Sequence, residues 1–237
     1  MSTSPQGSPD RREFLTHIAA AAVVMAGTAC APPLATASGQ PGRMDAPARG
    51  QQPFDDSWAR RVAAAKHRAV FDSPGVDDGL AFLHATFFRE GFREQLGTSD
   101  DDVIPVVVLR HAGTALAFND AIWEKYAVGE RAKVKDPKTG KDALRNPFIR
   151  VEKDDKDAIV PQDASIQGLL GSGVVLLACN KAAMNYAGQM AKKHNLDAET
   201  VRNEIRNGIV PGILLQPSGI YATLRAQDVG CTFIKST

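Results

Sequence analysis

IPVVVL at residues 104–109 and VVLLA at residues 174–178 are the stretches on which the reading of the fold turns. Both are unbroken apolar runs, the first rich in β-branched residues. A strand with one wet face alternates apolar with polar positions, whereas a strand covered on both faces does not. These two therefore read as central strands with helices packed above and below. Working outward, residues 66–72 (KHRAVFD), 209–215 and 231–235 read as further strands. Helical patterns lie between them: residues 79–96, with Asp78 as N-cap and Leu80, Leu83, Phe87 and Gly91 on one face; residues 118–126; residues 181–194; residues 198–207, with Asp197 as N-cap; and residues 220–227. Strand and helix alternate, so the expected fold is α/β, three layers α/β/α, around a mostly parallel sheet of about five strands.

Residues 129–160 break the pattern. They carry dense mixed charge and the turn sequence Asp136-Pro137-Lys138-Thr139-Gly140-Lys141. Their interior looks too poor in apolar residues for a core element, so they read as a charged insertion, either a solvated hairpin or a subunit contact.

Ahead of the domain, Arg11-Arg12-Glu13-Phe14-Leu15 precedes a short Ala-rich apolar run, and Ala35-Thr36-Ala37 supplies small residues for cleavage. This is the order of a secretory leader, and the arginine pair marks the twin-arginine route, whose machinery would read Arg11 and Arg12. A lipoprotein reading through Cys30 lacks the large aliphatic residue expected ahead of the cysteine. The expected organisation is a leader at 1–37, a disordered linker at 38–53 and one domain at 54–237, working in the periplasm or otherwise outside the cytoplasm. The apolar run falls short of the roughly 20 residues that span a bilayer, so no membrane span is expected.

With 28 Lys and Arg against 27 Asp and Glu, the net charge is +1, which is no footprint for nucleic acid. Beyond the leader only Cys179 and Cys231 remain, too few for a disulfide scaffold. Cys179 ends a strand and Cys231 begins one. In a parallel sheet they would lie about 15–20 Å apart, and a bridge needs Cα atoms within roughly 7 Å.

Ligands bind outside the carboxyl ends of parallel strands. That rule gathers Asp72 and Ser73, then Arg110, His111 and Thr114, then Cys179, Asn180 and Lys181, and finally Gln216, Ser218 and Gly219. Cys179 is the sharpest of these. At a strand-to-helix junction, the helix end and Lys181 would favour its thiolate, with His111 as a proton partner. Arg110, Thr114, Asn180, Ser218 and Gly219 would line the ligand site. Several also have a plain structural reading: packing for Cys179, a loop carbonyl bond for His111, rim solvation for Arg110 and Lys181, and helix capping for Ser218. His111 and Cys179 alone are too few to hold a metal, and no cofactor motif is present: neither GxGxxG, a phosphate loop, CxxC, HExxH nor GxSxG.

Residues 173–181 (GVVLLACNK), 209–235 (IVPGILLQPSGIYATLRAQDVGCTFIK) and 106–116 (VVVLRHAGTAL) together resemble the DsrE/DsrF-like sulfur-relay superfamily. The nearest likeness is to a branch whose last third reads strand, Cys, helix, hydrophobic-Pro-x-Gly strand, Gly-hydrophobic helix, Gln and Gly-x-x-x-hydrophobic. Its Val-Val-x-His-Gly segment is matched with Ala112 inserted between His111 and Gly113. The resemblance implies a three-layer fold, homo-oligomers, and a cysteine that carries sulfur as a persulfide passed between donor and acceptor proteins. By position that role falls on Cys179. The departures are export and the insertion. Two functions are thus expected: an exported domain that binds or relays a small sulfur species, or a non-catalytic ligand-binding or assembly module in which Cys179 is structural.

Overall fold

The structure, a computed structural model, describes residues 54–237. The leader and the linker expected at 1–53 lie outside the described residues. Five strands form one sheet in the order β4-β3-β2-β1-β5, every neighbouring pair parallel. In chain order the elements are α1 (Ser57–Ala64), β1 (His67–Ser73), α2 (Leu80–Leu96), β2 (Val103–Leu109), a 3-10 segment (His111–Ala117), α3 (Asp120–Lys125), α4 (Val128–Ala132), α5 (Ile166–Gly171), β3 (Val175–Cys179), α6 (Asn180–His194), α7 (Ala198–Asn207), β4 (Leu214–Gln216), α8 (Gly219–Asp228) and β5 (Thr232–Lys235). This is the three-layer α/β/α architecture.

The two apolar runs are buried for the expected reason. Along β2, Val107 and Leu109 join the core beneath α2 and α6, while Ile104, Val106 and Val108 join a second core beneath α1 and α8. Successive side chains point to opposite faces, so a strand with helices on both sides is apolar throughout. Pro105, unusual in a central strand, sits where β2 is paired only with β1, because the β3 ladder begins at Val106. Among the described residues no helix is long and apolar enough to cross a membrane.

Four local readings are corrected. α2 buries Ala81, Phe82, Ala85, Thr86 and Arg89 rather than the expected face, and Phe87 is 58% exposed. Asp78 does not cap α2: it lies in a 3-10 turn with φ 49°, and Gly79 takes the N-cap position. The strand expected over residues 209–215 shrinks to Leu214–Gln216. Pro211 donates no hydrogen bond and Gly212 sits at φ 95°, so Ile209 instead bridges Phe118 in antiparallel fashion before the turn. α1, absent from the sequence reading, packs Trp58, Ala59 and Val62 under the sheet.

The charged insertion is the largest correction. A solvated hairpin exists, but only at its tip, where Lys135 bridges Asp142 and the Asp136 carboxylate accepts from the Lys138 and Thr139 amides. The rest is core. Val134, Phe148, Val151 and Val160 are buried in the same core as residues of α2 and the 3-10 segment. Asn146, itself buried, donates through Nδ2 to the Leu116 and Phe118 carbonyls at 2.9 and 2.8 Å, pinning the segment to the backbone that follows β2.

Candidate functional site

At the carboxyl edge of the sheet a cavity of about 690 Å³ opens between the 3-10 segment, α4, α6 as far as Gln189 and the start of α8. Arg110, His111, Thr114, Cys179, Lys181, Ser218 and Gly219 all line it, so seven of the eight expected site residues meet in one place. Asn180 does not. It is turned to the other side of the α6 N-terminus, where it lines a shallower cleft with Phe54, Asp55 and Arg206.

Cys179 ends β3 and serves as N-cap of α6, its Sγ accepting from the Ala182 amide at 3.3 Å. Sulfur thus stands where Ser or Asp commonly caps a helix, at the positive end of a 15-residue helix dipole. The residue is 7% exposed, opening to solvent through the cavity it lines.

Arg110 follows from the register of β1 on β2. Asp72 pairs with Val108 and Ser73 with Leu109, so the next residue on β2 passes over the end of β1. Its guanidinium grips the buried Asp72 carboxylate through two bonds, Nε to Oδ1 at 2.5 Å and Nη2 to Oδ2 at 2.6 Å. These bonds to Asp72 hold the Arg110 pKa above its ordinary value against the effect of burial, and a Cys179 thiolate adds to the rise. Arg110 lines the same cavity as the sulfur and, held by Asp72, is the structural cation of the site more than the exposed Lys181.

Gly219 makes this placement possible. A Cβ there would meet Arg110 Cβ at 2.5 Å and its Cδ at 2.9 Å. Gly113 works similarly for the loop, since a Cβ would lie 2.3 Å from the Ser73 carbonyl. His111 opens the 3-10 segment at φ 49° and is exposed at the cavity rim. Thr114 is buried and donates to the Leu109 carbonyl at 3.3 Å. Ser218 caps α8, its Oγ accepting from the Tyr221 amide at 3.0 Å, so its structural role is filled and its O–H remains free to donate into the cavity.

The remaining lining residues were missed at the level of sequence. Asn185, Tyr186 and Gln189 come from later turns of α6, and Arg131 comes from α4 inside the charged insertion. Ala182, Tyr186 and Gln189 follow Cys179 at helical spacing, a stripe visible in the sequence once that helix is taken as a site wall. Arg131 carried no comparable signal. Tyr186 is 9% exposed, and burial pushes its hydroxyl up to about 12.

Cys231 is free and buried at the amino end of β5, and Cys179 is free as well. Burial pushes the Cys231 thiol up to about 11. Below that pH it stays a protonated thiol, and Cys231 is expected to resist iodoacetamide in the native protein at pH 8. Cys179 is expected to react, as peptide mapping after timed labelling would show. Among the described residues no three His, Cys, Asp or Glu side chains converge as a metal-binding group.

No protein-family model and no curated protein matches the chain. Among solved structures, a protein of unknown function from Methanobacterium thermoautotrophicum, MTH1491, is similar with a TM-score of 0.36 and 15% identity, covering 71% of this chain and 98% of that one. Likeness at that level assigns no activity. The functional reading rests on this chain's own cavity.

Proposed function

We propose that this is an exported DsrE-like sulfur carrier, working as a small homo-oligomer, in which Cys179 holds sulfur as a persulfide between a donor and an acceptor. The observation that carries the reading is the placement of the Cys179 sulfur: it caps α6, receives an amide N–H, and shares a cavity with Arg110, His111 and Lys181. Attack by a thiol needs a sulfur with negative charge, and a helix N-terminus with a neighbouring guanidinium stabilises that charge. The leader sequence and the DsrE-like segments supply the remaining support, the first for export and the second for sulfur and for oligomers.

The chemistry balances without an external oxidant. The Cys179 thiolate attacks a sulfane sulfur of an inorganic polysulfide, and the S–S bond beyond it breaks. The shortened polysulfide departs with the electron pair, leaving Cys179 persulfide. An acceptor thiolate then attacks the outer sulfur, and the Cys179 thiolate is released. Arg110 holds charge at the sulfur throughout. His111, at the rim, exchanges a proton with the departing group.

The low exposure of Cys179 favours a second reading, a ligand-binding module in which the cysteine only packs and caps. Brief exposure of the full chain to polysulfide, followed by intact mass, separates the two. The sulfur-carrier reading expects a gain of sulfur that dithiothreitol reverses and Cys179→Ser lacks. An unchanged mass, with Cys179 inert to alkylation until denatured, would leave the binding module.

A further inference from the structure

α6 lines the cavity from Cys179 to Gln189, and the two ends of that wall differ chemically. Cys179 marks one end. Tyr186 lies seven residues on, about 10 Å along the axis, and Gln189 ten residues on, about 15 Å. At that far end the Arg131 guanidinium lies over the Tyr186 ring, 5.3 Å from its centroid, and donates to the Gln189 side-chain oxygen. A guanidinium held by a ring face and an amide is oriented before any ligand arrives. It is also unspent: no ion pair among the described residues involves Arg131.

Nothing acidic lines the cavity, whereas Arg110, His111, Arg131 and Lys181 all do. Arg110 is already matched by Asp72, so the uncompensated charge lies at Arg131 and at the rim. Between the ends the wall is apolar, with Ala115, Phe118, Val128 and Ala182. An inorganic sulfur anion would occupy a small part of 690 Å³, a volume typical of sites for whole organic ligands.

We infer that the cavity seats a short-chain organic thiol whose carboxylate lies on Arg131 while its sulfur reaches Cys179, about 10–15 Å away along α6. A tripeptide-sized thiol with sulfur on its central residue puts about 7 Å between sulfur and a terminal carboxylate when extended, and the outer persulfide sulfur and the reach of the Arg131 side chain cover the rest. Planar, bidentate pairing with a carboxylate is the contact for which a guanidinium is best shaped. The inference deepens the sulfur-carrier reading and rests on it for the reactive form of the ligand, the persulfide of that thiol. The Cys179 thiolate attacks the outer sulfur of R–S–SH, the S–S bond breaks, and R–S⁻ departs with the electron pair while Cys179 keeps the S–SH group.

Binding is tested with a probe that cannot transfer sulfur, S-methylglutathione, titrated into the full chain by calorimetry. Wild type is expected to bind it. Arg131→Gln is expected to weaken binding about tenfold or more, as is amidation of both probe carboxylates, the scale of one lost charge-assisted pair. Arg131→Lys, which keeps the charge and loses the fork, is expected to fall between. Because Arg131 is exposed, each variant should melt with wild type, which a thermal scan checks. No binding by wild type, or equal binding by Arg131→Gln, overturns the inference whatever Cys179 does. Polysulfide loading reports on the sulfur-carrier reading separately, since it needs neither a carboxylate nor Arg131.

Discussion

Asp72→Ala is expected to lower stability by about 3–5 kcal/mol, the scale of a buried ion pair broken on one side. Asp72 is 4% exposed at the side chain and Arg110 about one fifth. Without the carboxylate, the guanidinium loses both bonds that hold it over the end of β1. The cost is mainly the uncompensated charge left behind, and much less the net worth of the pair. At roughly 2–4 °C per kcal/mol for a domain of this size, the melting temperature should fall by about 10 °C. Asp72→Asn, which keeps the shape and one acceptor, should cost less. Urea denaturation of the three proteins measures the order. A loss below about 1 kcal/mol for Asp72→Ala would mean that the pair behaves as a solvated surface contact. The effect should reach the site as well: with Arg110 released, polysulfide loading of Cys179 should slow in any folded Asp72 variant.

Phe148→Ala is expected to cost about 3–5 kcal/mol, as for a fully buried phenylalanine whose cavity cannot collapse. Phe148 is completely buried and meets Phe82 edge to face at a centroid distance of 6.3 Å. A Cβ on Gly79 would lie 2.9 Å from its ring, so little space separates the insertion from α2. Unfolding of the variant should remain a single transition, because Asn146 and Phe148 join the insertion to the same core as β2. Near-wild-type stability would show instead that the insertion folds as an appendage. Replacing Lys138 at its exposed tip should leave the melting temperature unchanged.

What was legible in the chain was local or periodic. The runs at 104–109 and 174–178 announced central parallel strands because covering both faces removes alternation. The α7 cap at Asp197 and the α8 cap at Ser218 followed from short polar side chains ahead of amphipathic segments, and both accept the expected amide. The loops gathered at the carboxyl edge followed from the parallel sheet, which is why most of the site residues converge. Missing was whatever depends on tertiary contact. Phe148 and Val160 sit singly in a charged stretch with no period, and only packing against α2 makes them core. Asp72 and Arg110 are 38 positions apart and meet through strand register, which the sequence does not display. Arg131 reads as one charge among many until α4 places it over Tyr186. Asn180 follows a strand end like the other site residues, but the first turn of α6 points it to the opposite side.

Loading followed by discharge tests the central claim most directly. The full chain is treated with polysulfide, stripped of excess reagent and mixed with a small acceptor thiol, with intact mass and peptide mapping before and after. Sulfur carriage by Cys179 requires added sulfur on the peptide bearing Cys179 and none on that bearing Cys231. It also requires return to the starting mass as the acceptor gains the persulfide. No adduct at Cys179, or one that the acceptor thiol cannot collect, would contradict it.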